Sequence, residues 1–333
     1  MRLLVTGGAV FIGSTYVRRR LATHPDDTVV VLDKLTYAGR RENLEGLDSE
    51  RCELVVADIT DRAAVRAAVE GCDAIVNFAA ETHVDRSIEA PGEFIQTDVF
   101  GTHILLEAAR DAGIRHLQIS TDEVYGSIEE GSFTESSPID PSSPYSASKA
   151  GGDMMVGAFR NTYGSDALIV RASNNYGPRQ YPEKLIPLCI LNALAGDPLP
   201  VYGDGMQVRN WLWVSDFASA IDTVLEQGEA GEVYNVGGPD ELANIEVIKR
   251  ILELTGRDES LISYVEDRLG HDRRYSLSAA KTESLGWRAA VGYDEGIERT
   301  VSWYRDNEAW WGPIRSGEYR EYYERQYGRK LGG

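Results

Sequence analysis

The sequence predicts an α/β fold, a doubly wound parallel sheet with a smaller mixed C-terminal domain. Three observations carry this. Short β-branched runs alternate with segments of helical apolar spacing through the first half of the chain. A glycine-rich turn joins the first run to the first helical segment. Near Asn174 the alternation gives way to a loop-rich stretch containing Pro178, Pro182, Pro187, Pro198 and Pro200.

Taken in order, strands are expected at residues 3–6, 29–32, 54–56, 74–78, 117–120 and 168–171. Strands of this kind, separated by helices, form a parallel sheet covered on both faces. Helices are expected at 12–22, 61–70, 93–112 and 145–163, where apolar residues recur at helical spacing. This gives a first domain over 1–175 and a second over 176–333. Val233-Tyr234-Asn235-Val236, followed by Gly237-Gly238, reads as one more buried strand that the first domain recruits from beyond its boundary. Trp303, Trp310 and Trp311 read as core residues. The last ~20 residues, rich in Tyr, Arg and Glu, read as a partly ordered surface helix.

At 333 residues and 42% hydrophobic content the chain is neither disordered nor one small domain. With 53 Asp and Glu against 34 Lys and Arg, the formal net charge of −19 speaks against nucleic acid or membrane as a partner. No run reaches the ~20 apolar residues of a membrane helix. Gly7 and Gly8 interrupt the apolar start, and no signal-peptide cleavage pattern follows. Cys52, Cys72 and Cys189 fit neither a disulfide framework nor a paired-cysteine zinc site, which points to a reducing, cytoplasmic setting. Only Lys34, Lys149, Lys184, Lys249, Lys281 and Lys330 are lysines, a scarcity that fits a salt-adapted proteome or a GC-rich genome equally.

Thr6-Gly7-Gly8-Ala9-Val10-Phe11-Ile12-Gly13 lies between the first strand and the first helix. Glycines there permit a tight turn and let amides approach a pyrophosphate at the helix N-terminus. At the end of the second strand, Asp33 is placed to accept hydrogen bonds from a ribose diol, and its charge repels a 2′-phosphate. NAD is therefore expected rather than NADP, with a Rossmann-type first domain. Asp58, after the third strand, is placed for the adenine amino group.

Tyr145-Ser146-Ala147-Ser148-Lys149 opens a helix after Pro144, and the four-residue spacing sets phenol and ammonium on one face. The ammonium is expected to lower the phenol's pKa, giving a base for a sugar hydroxyl whose carbon yields hydride to nicotinamide. Ser120-Thr121-Asp122-Glu123-Val124-Tyr125-Gly126 emerges at the carboxyl edge of the fifth strand, where open α/β sheets bind ligands. Two adjacent carboxyl groups beside a hydroxyl suit an elimination, one acting as acid and the other as base. Glu81-Thr82-His83-Val84-Asp85 gathers a histidine and carboxylates, yet no second histidine stands at ligand spacing, so no metal site is expected.

These motifs resemble the extended short-chain dehydrogenase/reductases and, within them, the dTDP-glucose 4,6-dehydratase family. The resemblance runs over nearly the whole chain, through residues 78–87, 121–126, 145–149, 174–178, 182–187 and 267–275. It departs at position 10, where the family's usual glycine is Val10, and the expectation is crowding at the pyrophosphate or a backbone angle valine disfavours. The resemblance implies bound NAD against Gly7, Phe11, Ile12, Gly13, Asp33, Lys34, Asp58, Ile59, Ala79, Ala80, Thr97, Tyr145, Lys149 and Asn175. It implies a nucleoside diphosphate glucose, first of all dTDP-glucose, against Thr82, Thr121, Asn174, Lys184, Leu185, Tyr202, Arg209, Asn244, Arg268 and His271. Lys184 and Arg209 would supply charge to the pyrophosphate.

The implied catalytic set is Thr121, Asp122, Glu123, Tyr145 and Lys149. In it Tyr145 takes the 4-hydroxyl proton, Glu123 removes the C5 proton, Asp122 protonates the departing 6-hydroxyl, and hydride returns to C6. Thr121 would bond the 4-oxygen, and Lys149 would also hold the nicotinamide ribose. A homodimer through the helices at 93–112 and 145–163 is implied as well. Two competing readings stand beside this one. A UDP-sugar 4-epimerase or decarboxylase of the same fold has no use for the Asp122–Glu123 pair. A non-catalytic NAD-sensing or scaffold protein is motivated by Val10 alone.

Overall fold

The structure is a computed structural model that describes residues 1–317 and 323–328. Its strands are β1 (Arg2–Thr6), β2 (Thr28–Asp33), β3 (Cys52–Val56), β4 (Ala74–Asn77), β5 (Arg115–Thr121), β6 (Ala167–Ala172), β7 (Asn174–Tyr176), β8 (Leu199–Tyr202), β9 (Val208–Trp213), β10 (Val233–Val236), β11 (Asp240–Ala243) and β12 (Ile262–Val265). Seven of them form one sheet in the order β10-β6-β5-β4-β1-β2-β3, with every neighbouring pair parallel. The order reverses between β1 and β4, so a crevice opens at the carboxyl ends of these strands. All six expected strands are in this sheet, and residues 233–236 join it as β10, with Val233 opposite Ile169. Antiparallel β9 and β11 carry β7 alongside, and β8 pairs with β12.

The helices are α1 (Phe11–Thr23), α2 (Arg62–Ala68), α3 (Val84–Glu89), α4 (Pro91–Phe94), α5 (Thr102–Ala112), α6 (Pro144–Tyr163), α7 (Leu185–Ala195), α8 (Val214–Gln227), α9 (Asn244–Thr255), α10 (Ala280–Ser284), α11 (Tyr293–Asp306) and α12 (Glu308–Ser316). The expected helix at 93–112 is present as one continuous helical run made of α4, a π-helical stretch (Ile95–Gly101) and α5, with right-handed helical backbone at both junctions. The wide turn buries Asp98 and brings its carbonyl against Gly152 of α6, where a Cβ would stand only 2.8 Å away. Helix α6 is set by its sequence: Ser143 and Ser146 form a reciprocal cap, Pro144 occupies the first turn, and Gly164 ends the helix in the left-handed region.

Two cores result. One lies between the sheet and the helices α1 and α8, joining Leu3, Val31 and Leu117 to Phe217, Ile221 and Trp287. The other packs α7, α9 and α11 around Tyr176, Trp211 and Tyr304. Because α8, β10 and Trp287 serve the first core, no single cut in the chain separates the two. Trp310 is buried in the second core, and Trp303 and Trp311 pack against it partly exposed, as expected of core residues. Of the expected tail helix, α12 and a π turn at Glu324–Gly328 are present, and the remainder lies outside the described residues. Among the described residues no helix is long and apolar enough to cross a membrane.

Candidate active site

The turn after β1 needs glycine at two positions. Gly7 has φ +65°, and a Cβ on it would fall 2.6 Å from the Ala79 amide nitrogen; on Gly13 it would fall 2.1 Å from the Gly7 carbonyl oxygen. Position 10 has no such need. Val10 is extended at φ −85° and ψ 176°, a region β-branched residues favour, so the expected backbone conflict is absent. It precedes α1 without a side-chain cap, and the first turn holds no acid, so the first amides of the helix face the cleft ready for an anion.

Asp33 is buried and its two carboxylate oxygens accept from the amides of Ala9 (2.9 Å) and Leu35 (2.8 Å). Each oxygen keeps a further lone pair for a hydroxyl group. Beside it, Lys34 and Asp58 form a 2.8 Å ion pair in a groove shared with Thr97, and Ile59 is buried behind them. At the other end, Phe11, Ile12, Ala80 and Asn175 line a central cleft, with Ala79 against Gly7. The buried Oδ1 atoms of Asn174 and Asn175 accept no hydrogen bond among the described residues. Glycine contacts, uncapped amides and orphaned acceptors together fit a dinucleotide laid from the Asp58 groove to the central cleft.

That cleft, of about 240 Å³, lies at the carboxyl ends of β5 and β6. The Thr121 hydroxyl ends β5 by accepting from the Glu123 amide (3.2 Å), which turns the chain into a short 3₁₀ segment (Asp122–Tyr125). Both carboxyl groups are thereby held at the sheet edge. Tyr145, in the first turn of α6, and Lys149, one turn on, line the same cleft. Lys149 Nζ donates to the Ile119 carbonyl oxygen at 2.8 Å. The expected lowering of the Tyr145 pKa is not met. Burial, followed by the charges of Glu123 and Asp98, raises it well above the usual phenol value, against a hydrogen bond from Thr121. The four-residue spacing puts phenol and ammonium on one face, but the ammonium is directed at a strand carbonyl and the phenol is surrounded by carboxyl groups.

Asp122 and Glu123 have different surroundings. Asp122 is 1% exposed, with Oδ1 accepting from Thr121 Oγ1 at 3.3 Å, and Oδ2 is without a partner among the described residues. Burial, with Glu123 adding, pushes its pKa up to about 8 against Arg209. Burial raises Glu123 too, but Arg268, Arg209 and Lys184 all oppose it. At neutral pH the first carboxyl keeps its proton, and the cations favour the ionised form of the second.

Asp122 makes the stability of the fold depend on pH. Its folded pKa stands above its ordinary value, so the folded protein holds an extra proton between roughly pH 4 and pH 8 and loses stability as pH rises through that window. Asp122→Asn removes this titration. Its melting temperature relative to the parent is expected to rise on going from about pH 5 to about pH 9; a constant difference across that range would show that Asp122 is ionised throughout.

The remaining expected substrate residues form the wall beyond the cleft. Lys184 Nζ donates to the Thr82 carbonyl at 2.7 Å. Arg209 is buried, donates to the carbonyls of Val208 and Asp272 (2.8 and 2.9 Å) and lies over the Tyr275 ring. Tyr202 donates to Asp85 Oδ2 (3.2 Å), and an Arg268 nitrogen stands 3.8 Å from Asp85 Oδ1. His271 pairs with Asp267 at 2.6 Å, and burial with Arg268 pushes its pKa down to about 4, which leaves it neutral. The Oδ1 atom of Asn244 is buried without a partner among the described residues, and Leu185 packs against the second core. Of this set Thr82, Thr121, Asn174 and Lys184 line the central cleft; Leu185, Tyr202, Arg209, Asn244, Arg268 and His271 do not. Among the described residues no group of three His, Cys, Asp or Glu could hold a metal ion.

Five residues of the site lie outside the set expected from the sequence. Asp98 accepts from the Glu81 amide (3.0 Å) and from Ser148 Oγ (2.6 Å) beside Tyr145 and Lys149. Asp85 joins Tyr202 to Arg268, and Glu183 joins Arg86 to Tyr37. Asp85, Arg86 and Glu183 lie inside the motifs at 78–87 and 182–187, whereas Asp98 and Tyr37 carry no signal of their own.

The family model described as GDP-mannose 4,6 dehydratase matches residues 4–300. The low-salt glycan biosynthesis protein Agl12 of Haloferax volcanii is 53% identical over 306 residues, covering 91% of this chain and 98% of that protein. A dTDP-glucose 4,6-dehydratase of Streptomyces niveus is 50% identical over 323 residues, covering 95% and 96%. The crystal structure of DesIV, the dTDP-glucose 4,6-dehydratase of Streptomyces venezuelae with NAD and TYD bound, superposes with a TM-score of 0.92 at 53% identity, covering 94% of this chain and all of that one. With the fold, the glycine turn, the paired carboxyl groups and this likeness along nearly the whole chain, the protein belongs to the dTDP-glucose 4,6-dehydratase family.

Proposed function

We propose that the protein dehydrates dTDP-glucose to the 4-keto-6-deoxy sugar nucleotide, with NAD as a cofactor that is not consumed. The observation that carries this reading is the pair of adjacent carboxyl groups, Asp122 and Glu123, held in one cleft with Tyr145, the first bonded to Thr121, a pair that an epimerase or decarboxylase has no use for. The amides at the start of α1, Asp33 and the Lys34–Asp58 pair would hold the cofactor. When bound, NAD would supply the acceptor for the C4 hydride and the store from which C6 is reduced.

The chain's own residues move the protons. Tyr145 takes the proton of the 4-hydroxyl, with Thr121 bonding the oxygen that becomes the ketone. The ketone acidifies C5, and Glu123 removes the C5 proton. The electron pair forms the C5–C6 double bond while Asp122 gives its proton to the 6-hydroxyl, which leaves as water; when C6 is reduced, Glu123 returns its proton to C5, and the proton held by Tyr145 restores Asp122. Water is a good leaving group and hydroxide a poor one, which is why the buried acid is required. Lys184, Arg209 and Arg268 hold the diphosphate and the nucleoside. Incubation with dTDP-glucose is expected to yield a 4-keto-6-deoxy product, and recovery of only a galacto epimer would refute the proposal. A panel of glucose nucleotides differing only in the base is expected to favour thymine.

We also infer a homodimer. Ile95 and Phe100 on the π stretch, with Met154 and Tyr163 on α6, are large apolar residues left 40–59% exposed on adjacent elements, more than a lone subunit commonly leaves together. Sedimentation is expected to give twice the chain mass, and a concentration-independent monomer would contradict it. The three unpaired cysteines suit a cytoplasmic location.

A further inference from the structure

A second buried carboxylate in the cleft takes no part in this chemistry. Glu183 is 5% exposed and has a donor at each oxygen: the Tyr37 hydroxyl at 2.9 Å on Oε1 and Arg86 Nε at 3.2 Å on Oε2. The Arg86 guanidinium lies 4.0 Å from the centre of the Tyr37 ring, and Tyr181 meets that ring edge-on at 5.2 Å. The three partners come from the loop after β2, from α3 and from the segment leading into α7. Thr36 and Tyr37 line both the groove of Lys34, Asp58 and Thr97 and the central cleft of Tyr145 and Lys149. A dinucleotide laid between the two therefore passes this loop. Glu183 is also adjacent to Lys184, so the contact joins the cofactor side of the cleft to its substrate side.

The proposed reaction imposes a demand that a simple dehydrogenase escapes. The same cofactor molecule must stay bound from the oxidation at C4 to the reduction at C6, because escape in between strands an unreduced ketone. We propose that Tyr37, Arg86 and Glu183 form a clasp that retains the cofactor in both redox states. Its effect lies in the dissociation rate, and the three residues are positioning residues that touch none of the reacting atoms. The proposal rests on the NAD-dependent reading above, though not on the identity of the sugar nucleotide.

The test is the release of radiolabelled NAD from the holoprotein after dilution into excess unlabelled NAD. Tyr37→Phe keeps the ring over Arg86 and removes only the hydrogen bond; Glu183→Gln keeps the shape and removes the charge. Each is expected to speed release about tenfold or more, the loss of one hydrogen bond to a buried charged group. Given the sugar nucleotide, each is also expected to shed reduced cofactor and the 4-keto-glucose nucleotide into solution, a leak that a merely structural defect does not produce. Release within about twofold of the parent in the folded Tyr37→Phe protein would overturn the clasp and leave the NAD-dependent reading standing. A parent that binds no NAD would overturn both. Should Glu183→Gln fail to fold, Tyr37→Phe decides alone.

Discussion

Glu123→Gln is expected to lower turnover by about 10³-fold and to abolish exchange of the C5 hydrogen with solvent, while nucleotide affinity stays within about threefold of the parent. Glutamine fills the same space but has no carboxylate to accept a proton. The three cations that oppose the rise of the Glu123 pKa remain in place, and none of them loses a partner needed for phosphate. Ground-state binding therefore survives as the elimination fails, a change in kcat far more than in KM. Exchange at C5 reads the base directly, because it needs the ketone and the base but not the departure of water. Exchange at the parent rate would remove Glu123 from that role and assign it to another carboxyl group of the cleft.

What was legible in the sequence depends on how far along the chain each feature is determined. The glycine turn, Asp33, and the placements of Tyr145 and of Thr121 to Glu123 each belong to one strand–turn–helix unit, so spacing alone locates them. The differing environments of Asp122 and Glu123 are not local. They are set by burial and by the charges of Lys184, Arg209 and Arg268, which reach the two carboxyl groups from distant segments. The direction of Lys149 is hidden for the same reason, since its acceptor is a carbonyl 30 residues upstream. Asp98 is buried through a π-helical stretch that leaves no trace in the apolar periodicity, because one wide turn only shifts its phase. Val10 shows the converse. Its departure from the glycine pattern is plain in the sequence, and only the backbone angle shows that valine meets no conformational conflict there. The clasp of Tyr37, Arg86 and Glu183 joins positions up to 146 residues apart and carries no spacing at all.

Tyr145→Phe is expected to reduce turnover by about 10³-fold and, like Glu123→Gln, to abolish C5 exchange, but for the opposite reason. Without a base at the 4-hydroxyl no ketone forms, and C5 never becomes acidic although Glu123 is intact. The near-ultraviolet absorbance of reduced nicotinamide separates the two variants: on adding substrate it should appear in Glu123→Gln and stay absent in Tyr145→Phe. The charges add a sign that can be checked. Glu123 is the first charged group that raises the Tyr145 pKa, ahead of Asp98, and Asp122 adds to them. Neutralising Glu123 therefore lowers the phenol's pKa and increases the fraction able to act as base near neutral pH. The pH at which nicotinamide reduction becomes half-maximal should move down in Glu123→Gln relative to the parent, although overall turnover collapses. Because the two groups are coupled, the parent's profile belongs to the pair and neither limb to one residue alone. Nicotinamide reduction at the parent rate in Tyr145→Phe would show that another group takes the 4-hydroxyl proton. An unmoved profile in Glu123→Gln would show that the two side chains do not share the field that burial creates between them.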